Sequence, residues 1–210
     1  MKQLIIIGAR GFGREVCNLA WDCISSGLDI VVKGFLDDNS NILNEYRGYP
    51  PILSSVENYI PCDDDVFICA LGDVKWKRHY TDIIRDKGGV FTTLIHPSAI
   101  ISKNSNLGTG CIVSRYVTIS CDVKIGNFVT ISTHAGIGHD SVVEDWCHIG
   151  SYTNLSGGVI LKELVTLHPQ ANIVPHKTIG EGAVVGTGSV VLRSVTKYTT
   201  VFGNPAHKVI

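Results

Sequence analysis

Ile95, Ile101, Leu107, Val113, Ile119, Ile125, Ile131, Ile137, Val143, Ile149, Leu155, Leu161, Leu167, Ile173, Ile179, Val185 and Val191 stand six residues apart without a missed step. The residue after each is mostly Gly or Ser, as at Ser102, Gly108, Ser114, Gly126, Gly138 and Gly150. The fourth position after each is mostly small or β-branched, as at Ala99, Cys111, Val117, Val129, Ala135, Cys147 and Ala183. A period of six is neither the 3.6 of a helix nor the two of an open strand. It is the hexapeptide signature of a parallel β-helix, with one short strand and one corner per repeat. A single hexad cannot stand alone, because ordering six residues costs roughly 6–12 kcal/mol while burying one Ile returns only about 1.5–3 kcal/mol. The coils must stack around a shared core.

These seventeen hexads resemble the left-handed β-helix of the hexapeptide-repeat acyltransferases, in which three hexads complete one triangular coil. The resemblance covers about half of the chain.

Outside that stretch the composition narrows the function class. At 210 residues the chain has room for one large or two small domains. Its net charge of −1 leaves no basic surface for nucleic acid or an anionic membrane as the main partner. The first 94 residues carry ten Lys/Arg against thirteen Asp/Glu and the remainder eight against six, so the charges do not segregate. The apolar run near the start is too short for a signal-peptide core, and no run is long enough to span a bilayer, so a cytoplasmic protein is expected. Seven cysteines, an odd number without C-x-x-C spacing, read as reduced thiols, with Cys111 and Cys147 filling the small-residue column.

The N-terminal half follows a different rhythm. Residues 4–7 form a continuous apolar run, as in a strand buried on both faces, and lead into Gly8-Ala9-Arg10-Gly11-Phe12-Gly13. Val16, Leu19, Ala20 and Ile24 then keep helical spacing up to Gly27, and residues 30–36 read as a second strand ending at Asp37-Asp38, which completes a βαβ unit. Ser54-Ser55-Val56-Glu57 is expected to cap a short helix. Residues 66–71 read as a third strand, 75–87 as a helix stopped by Gly88-Gly89, and 90–95 as a last strand. The expectation is therefore a small Rossmann-like parallel α/β domain over 1–94, followed by the β-helix over 95–210 with a short C-terminal tail.

The Gly-rich turn has the form G-x-x-G-x-G and not the dinucleotide G-x-G-x-x-G, yet amides at a helix N-terminus can still approach a phosphate. Asp37 and Asp38, at the carboxyl end of the next strand, are placed to accept hydrogen bonds from a ribose or a base. Gly8, Arg10, Gly11, Phe12 and Gly13, with Asp37, Asp38, Gly72 and Arg78, resemble the nucleotide-sugar domain of the bacterial sugar acetyltransferases. That family acetylates nucleotide-linked amino sugars for surface-glycan assembly or O-acetylates sialic acid, and members often carry His where this chain has Phe12.

Moving an acetyl group from a thioester to an amine or hydroxyl needs a base and donors for the oxyanion. The stretch from Ile137-Gly138-His139-Asp140 to Cys147-His148-Ile149-Gly150 resembles the family's catalytic segment. The resemblance implies His139 as general base, Asp140 as the carboxylate beside it, His148 near the thioester, and the Gly157 amide as the acetyl-carbonyl donor. Ser132 stands where relatives have Asn, a difference that bears on the acceptor. Gly203-Asn204-Pro205-Ala206 resembles the family tail beside the CoA site, Gly182, Gly186 and Gly188 are expected to keep the last full coil open, and Lys177 and Arg193 are candidate phosphate contacts. The implied enzyme is a homotrimer with intersubunit sites that uses acetyl-CoA, a nucleotide-activated amino sugar and no metal. A sialic acid type O-acetyltransferase is the alternative within the class. A zinc enzyme like the γ-class carbonic anhydrases is the alternative outside it, suggested by His134 and His139 with His96 as an earlier candidate ligand.

Overall fold

The computed structural model describes residues 1–209 and divides the chain into two compact units, Met1–Pro97 and Ser98–Ile210. No helix among the described residues is long and apolar enough to cross a membrane.

The first unit is an all-parallel sheet of five strands in the order β3-β2-β1-β4-β5, built from β1 (Lys2–Ile7), β2 (Ile30–Leu36), β3 (Ile52–Ser54), β4 (Asp65–Cys69) and β5 (Val90–Phe91). Leu4, Ile5, Ile6 and Ile7 are buried on both faces, as their unbroken apolar run requires. The helices are α1 (Gly11–Ser25) and α2 (Val74–Asp86). The chain winds from β1 outward to β2 and β3, then returns to β4 on the other side of β1. That reversal opens a crevice beyond the carboxyl ends of the strands. The Asp73 side chain caps α2 by accepting from the amides of Lys75 (2.9 Å) and Trp76 (3.1 Å).

Two local expectations fail here. Residues 54–57 start no helix: β3 ends at Ser54, and the following carbonyls of Val56, Glu57 and Tyr59 accept from Lys87 Nζ. The apolar run over 90–95 is not one strand either, because it breaks into Val90–Phe91 and Leu94–Ile95 after Thr92 donates to Phe67 O.

The second unit is a three-sided parallel β-solenoid. One face stacks Ile100–Ile101, Thr118–Ile119, Gly136–Ile137, Asn154–Leu155, Asn172–Ile173 and Val190–Val191. A second stacks Asn106–Leu107, Lys124–Ile125, Val142–Val143, Ile160–Leu161 and Thr178–Ile179. The third includes Ile112–Val113, Thr130–Ile131, His148–Ile149, Thr166–Leu167 and Val184–Val185. Thr118 pairs with Gly136 and Ile119 with Ile137, and every later pair keeps that register. The second residue of each strand points into the core, so the aliphatic column is buried from Val113 onward. Ile95 departs from the column, being 41% exposed while Leu94 is buried.

Polar members of the small-residue column are satisfied within the core. Ser105 Oγ donates to Ser120 O (2.6 Å), and the Cys111 and Cys147 thiols reach Gly126 O and Lys162 O at 3.1 Å. Burial pushes the Cys147 thiol up to about 12, so it stays protonated. All seven cysteines are free thiols.

The corners turn through a left-handed residue every six positions: Tyr116, Asp122, Phe128, His134, Asp140, Trp146 and Tyr152 have φ between 57° and 64°. Such a conformation costs roughly 1–2 kcal/mol for a residue with a Cβ. From Phe128 to Tyr152 each of these corners recovers a backbone bond to the preceding coil, as Asp140 N to Cys121 O (3.1 Å), and Gly158 N does so to His139 O (2.8 Å), while Tyr116 N donates to the Ser98 hydroxyl (3.0 Å).

In the first unit a buried carboxylate ties strands to loop. Asp65 accepts from Lys33 Nζ (2.7 Å), Tyr59 Oη (2.8 Å) and Cys62 N (2.9 Å), and its side chain is fully buried. Burial alone would raise its pKa, but Lys33, the Cys62 amide and Tyr59 outweigh burial and hold it below the ordinary carboxylate value. A depressed folded pKa stabilises above the unfolded value and is lost as pH falls through the folded one. Asp65→Asn should destabilise the protein by roughly 3 kcal/mol at pH 7 in urea unfolding, with the gap to the wild-type narrowing below pH ~4. A gap that is constant with pH would contradict this reading.

Candidate active site

The crevice in the first unit is a cleft of about 430 Å³ lined by residues that include Gly8, Arg10, Asp37, Asp38, Gly72, Trp76 and Tyr80. Gly8 has φ +93°, and a Cβ on Gly13 would lie 2.0 Å from Gly8 O, so these two glycines let helix and strand end touch. Gly11 has open space around it, and Phe12 and Gly13 stand outside the lining. No side chain caps the start of α1 at Arg10.

The two aspartates have different duties. Asp37 accepts from the amides of Ala9 (2.9 Å) and Asn39 (3.0 Å), which commits both of its oxygens to shaping the turn. Asp38 is exposed and accepts from Tyr80 Oη at 3.2 Å. Arg78 is not in the lining. It points away along α2 and faces Asp82 at 3.9 Å, whereas Trp76 and Tyr80, four residues apart on one helical face, line the cleft. The spacing of these two aromatics was the available signal in the sequence; with Val56 and Asn39 they complete the wall.

In the second unit, His139 and Asp140 form the corner between the first and second faces. His139 Nδ1 lies 2.7 Å from Asp140 Oδ2, and both side chains are solvent-exposed. A carboxylate only accepts, so Nδ1 is the donor in this pair, and in the neutral imidazole that tautomer leaves Nε2 with its lone pair. The ring lies over Gly157, one coil on: a Cβ there would meet His139 Cε1 at 2.5 Å and Nε2 at 2.6 Å. The Gly157 amide nitrogen in turn sits 2.7 Å from where a Cβ of residue 138 would be, so Gly138 leaves that N–H uncovered by a side chain. His176 covers Gly158 in the same way, which adds Gly138 and His176 to the residues expected here. A base nitrogen beside an amide donor can relay a proton while an oxyanion forms.

His148 does not join this corner within one chain. It projects from the third face, on the strand His148–Ile149 between Thr130 and Thr166, half a coil from His139. The Ser132 amide donates to Ile149 O. Gly182 and Gly186 lie under the rings of Tyr198 and Phe202, so the expected open surface on the last coil remains only at Gly188. The 203–206 tail turns the chain back so that His207–Lys208 pairs antiparallel with Thr200–Phe202, and Ala206 packs on the core. Lys177 is half-buried and Arg193 exposed. His134 is stacked between Tyr116 (4.9 Å) and Tyr152 (4.8 Å), and His96 Nε2 lies 3.2 Å from Asp22. The described residues contain no group of three or more His, Cys, Asp or Glu able to hold a metal ion.

Residues 3–84 match the family described as the PglD N-terminal domain. Over 202 residues the chain is 28% identical to GDP-perosamine N-acetyltransferase of Escherichia coli O157:H7, covering 94% of this chain and 81% of that protein. It is 31% identical over 117 residues to UDP-N-acetylbacillosamine N-acetyltransferase of Bacillus subtilis, covering 54% of this chain and about half, 51%, of that protein. Among solved structures, PerB from Caulobacter crescentus in complex with CoA and GDP-perosamine superposes with a TM-score of 0.89 at 28% identity, over 100% of this chain and 98% of that one. The acetyltransferase domain of PglB from Neisseria gonorrhoeae with acetyl coenzyme A gives 0.89 at 27% identity, over 99% of each chain. Residues 3–84 thus carry a PglD-type N-terminal domain, and the chain is a homologue of GDP-perosamine N-acetyltransferase with a structural match to the PerB and PglB acetyltransferases of the hexapeptide-repeat family.

Proposed function

We propose that this protein transfers an acetyl group from acetyl-CoA to the amino group of a nucleotide-linked amino sugar, in the cytoplasm. The observation that carries the reading is the His139–Asp140 pair poised over Gly157. Likeness along nearly the whole chain to GDP-perosamine N-acetyltransferase, to PerB solved with CoA and GDP-perosamine, and to the acetyltransferase domain of PglB solved with acetyl coenzyme A supports the substrate pair. The cleft of the first domain, residues 1–94, holds the nucleotide, with Arg10 toward the phosphates. The amine attacks as the free base. His139 Nε2 takes the proton released as the C–N bond forms, while the Gly157 N–H donates to the oxyanion. Collapse of the tetrahedral intermediate breaks the C–S bond, and the CoA sulfur leaves as the thiol once protonated. Asp140 holds the imidazole in the required tautomer and stabilises the imidazolium.

His139 and His148 lie on opposite sides of one coil, so a site using both needs two copies of the chain side by side. This supports a homotrimer with sites between neighbouring solenoids, in which the corner of one copy meets the third face of the next.

A thiol-release assay with UDP-, dTDP- and GDP-linked 3- and 4-amino sugars, with sialic acid included, tests the reaction. Release with an amino sugar is expected; release with sialic acid alone would establish O-acetylation instead. His139→Ala should lower kcat about 10²-fold or more, with acetyl-CoA binding and oligomeric state unchanged. Gly157→Ala should displace the imidazole and lower kcat by roughly tenfold or more without unfolding the solenoid. Near-normal turnover in either variant would contradict the assigned base and donor.

A further inference from the structure

The relatives differ in the base of their nucleotide, GDP in one and UDP in another, so likeness alone leaves the base open. The cleft wall is more specific. Three carboxylates line the cleft: Asp37 is held to the turn by an amide on each oxygen and Asp73 to the start of α2 by two amides on Oδ1, so Asp38 is the one whose partner is a side chain and not the backbone. Tyr80 donates to its Oδ2, and Oδ1 accepts no hydrogen bond among the described residues. Burial and the adjacent Asp38 carboxylate push the Tyr80 phenol up, which keeps it protonated and holds the carboxylate in place. Tyr80 stacks with Trp76 at 5.9 Å between centroids and 28° between planes, yet the indole is 57% exposed at the cleft. An indole left open to water beside a polar pocket suits a flat ring stacked on it.

A fixed carboxylate discriminates among flat rings. Guanine presents N1–H and N2–H on one edge, two parallel donors that match the two oxygens, and Oδ2 keeps a lone pair beyond the one Tyr80 uses. Uracil and thymine place a single N3–H between two carbonyls, which repel the carboxylate. Adenine offers one donor beside an acceptor. We propose that this cleft selects guanine nucleotides, with Asp38 reading the N1–H and N2–H edge and the Trp76–Tyr80 pair supplying the stacking face. The inference rests on the reading of the cleft as the nucleotide site, and it names that nucleotide as a guanosine diphosphate.

Isothermal titration of the full chain with GDP, UDP, dTDP and ADP tests it. GDP should bind at least about tenfold more tightly than the other three, as expected for a charge-assisted bidentate contact. Asp38→Ala should bring GDP to within a few-fold of UDP, whereas Trp76→Ala should weaken every nucleotide by about tenfold while keeping their order. Equal affinity for GDP and UDP, or a preference that survives Asp38→Ala, would overturn the proposal. Thiol release with an amino sugar alongside such a result would leave the acetyl-transfer reading standing. A guanine preference without thiol release would sink that reading and leave the base assignment intact. Failure of all four diphosphates to bind would overturn the assignment of the cleft.

Discussion

Coil-on-coil register is the constraint from which the second unit follows. Each strand is only two residues long and gains pairing partners only in the coils before and after it, as Thr130 and Ile131 do between Ile112–Val113 and His148–Ile149. Inserting one residue anywhere would move the inward Ile, Leu and Val column onto a face or a corner. The register also builds the corner proposed as the active site. His139 can lie over Gly157 only because residues in successive coils stack directly, and the uncovered Gly157 amide depends on Gly138 in the coil before it. Fold and chemistry share one repeat.

The first unit works by a different device. The winding of its all-parallel sheet reverses at β1, with β2 and β3 added on one side and β4 on the other, and the loops after β1, β2 and β4 converge at that point. Asp37 holds the β1 loop through the Ala9 amide, and Lys87 holds the Val56 wall through backbone carbonyls. The buried Asp65 ties Lys33 and Tyr59 to the start of β4. Polar groups committed to backbone thus fix the cleft, which leaves Asp38, Trp76 and Tyr80 to face a ligand.

Much of this was legible in the residues. The six-residue period reports burial directly, because one inward side chain per hexad leaves a mark no helix or open sheet makes. The Gly8 turn and the α/β alternation were likewise visible. The left-handed corners were not, because residues as different as Trp146, His134 and Asp140 occupy them, and their backbone is set by bonds to the neighbouring coil rather than by local preference. Asp37 and Asp38 looked alike in sequence, and only the Ala9 and Asn39 amides separate a turn-holding carboxylate from an available one. Arg78 stands outside the cleft lining for a related reason: two residues on from Trp76 and two before Tyr80, it falls on another side of α2 from the pair that lines the cleft. Residues 54–57 carried a cap-like pattern, but Lys87, thirty residues downstream of Glu57, takes the carbonyls a helix would use.

The most direct test of the account is complementation between copies. His139→Ala and His148→Ala chains, each inactive alone, are co-expressed with different affinity tags, and mixed trimers are purified through both. If the corner of one copy meets the third face of its neighbour, one interface of the three in every mixed trimer regains both histidines, and thiol release should recover to about a third of the wild-type rate. Mixed trimers as inactive as the parents would show that the two histidines do not act together across a subunit interface.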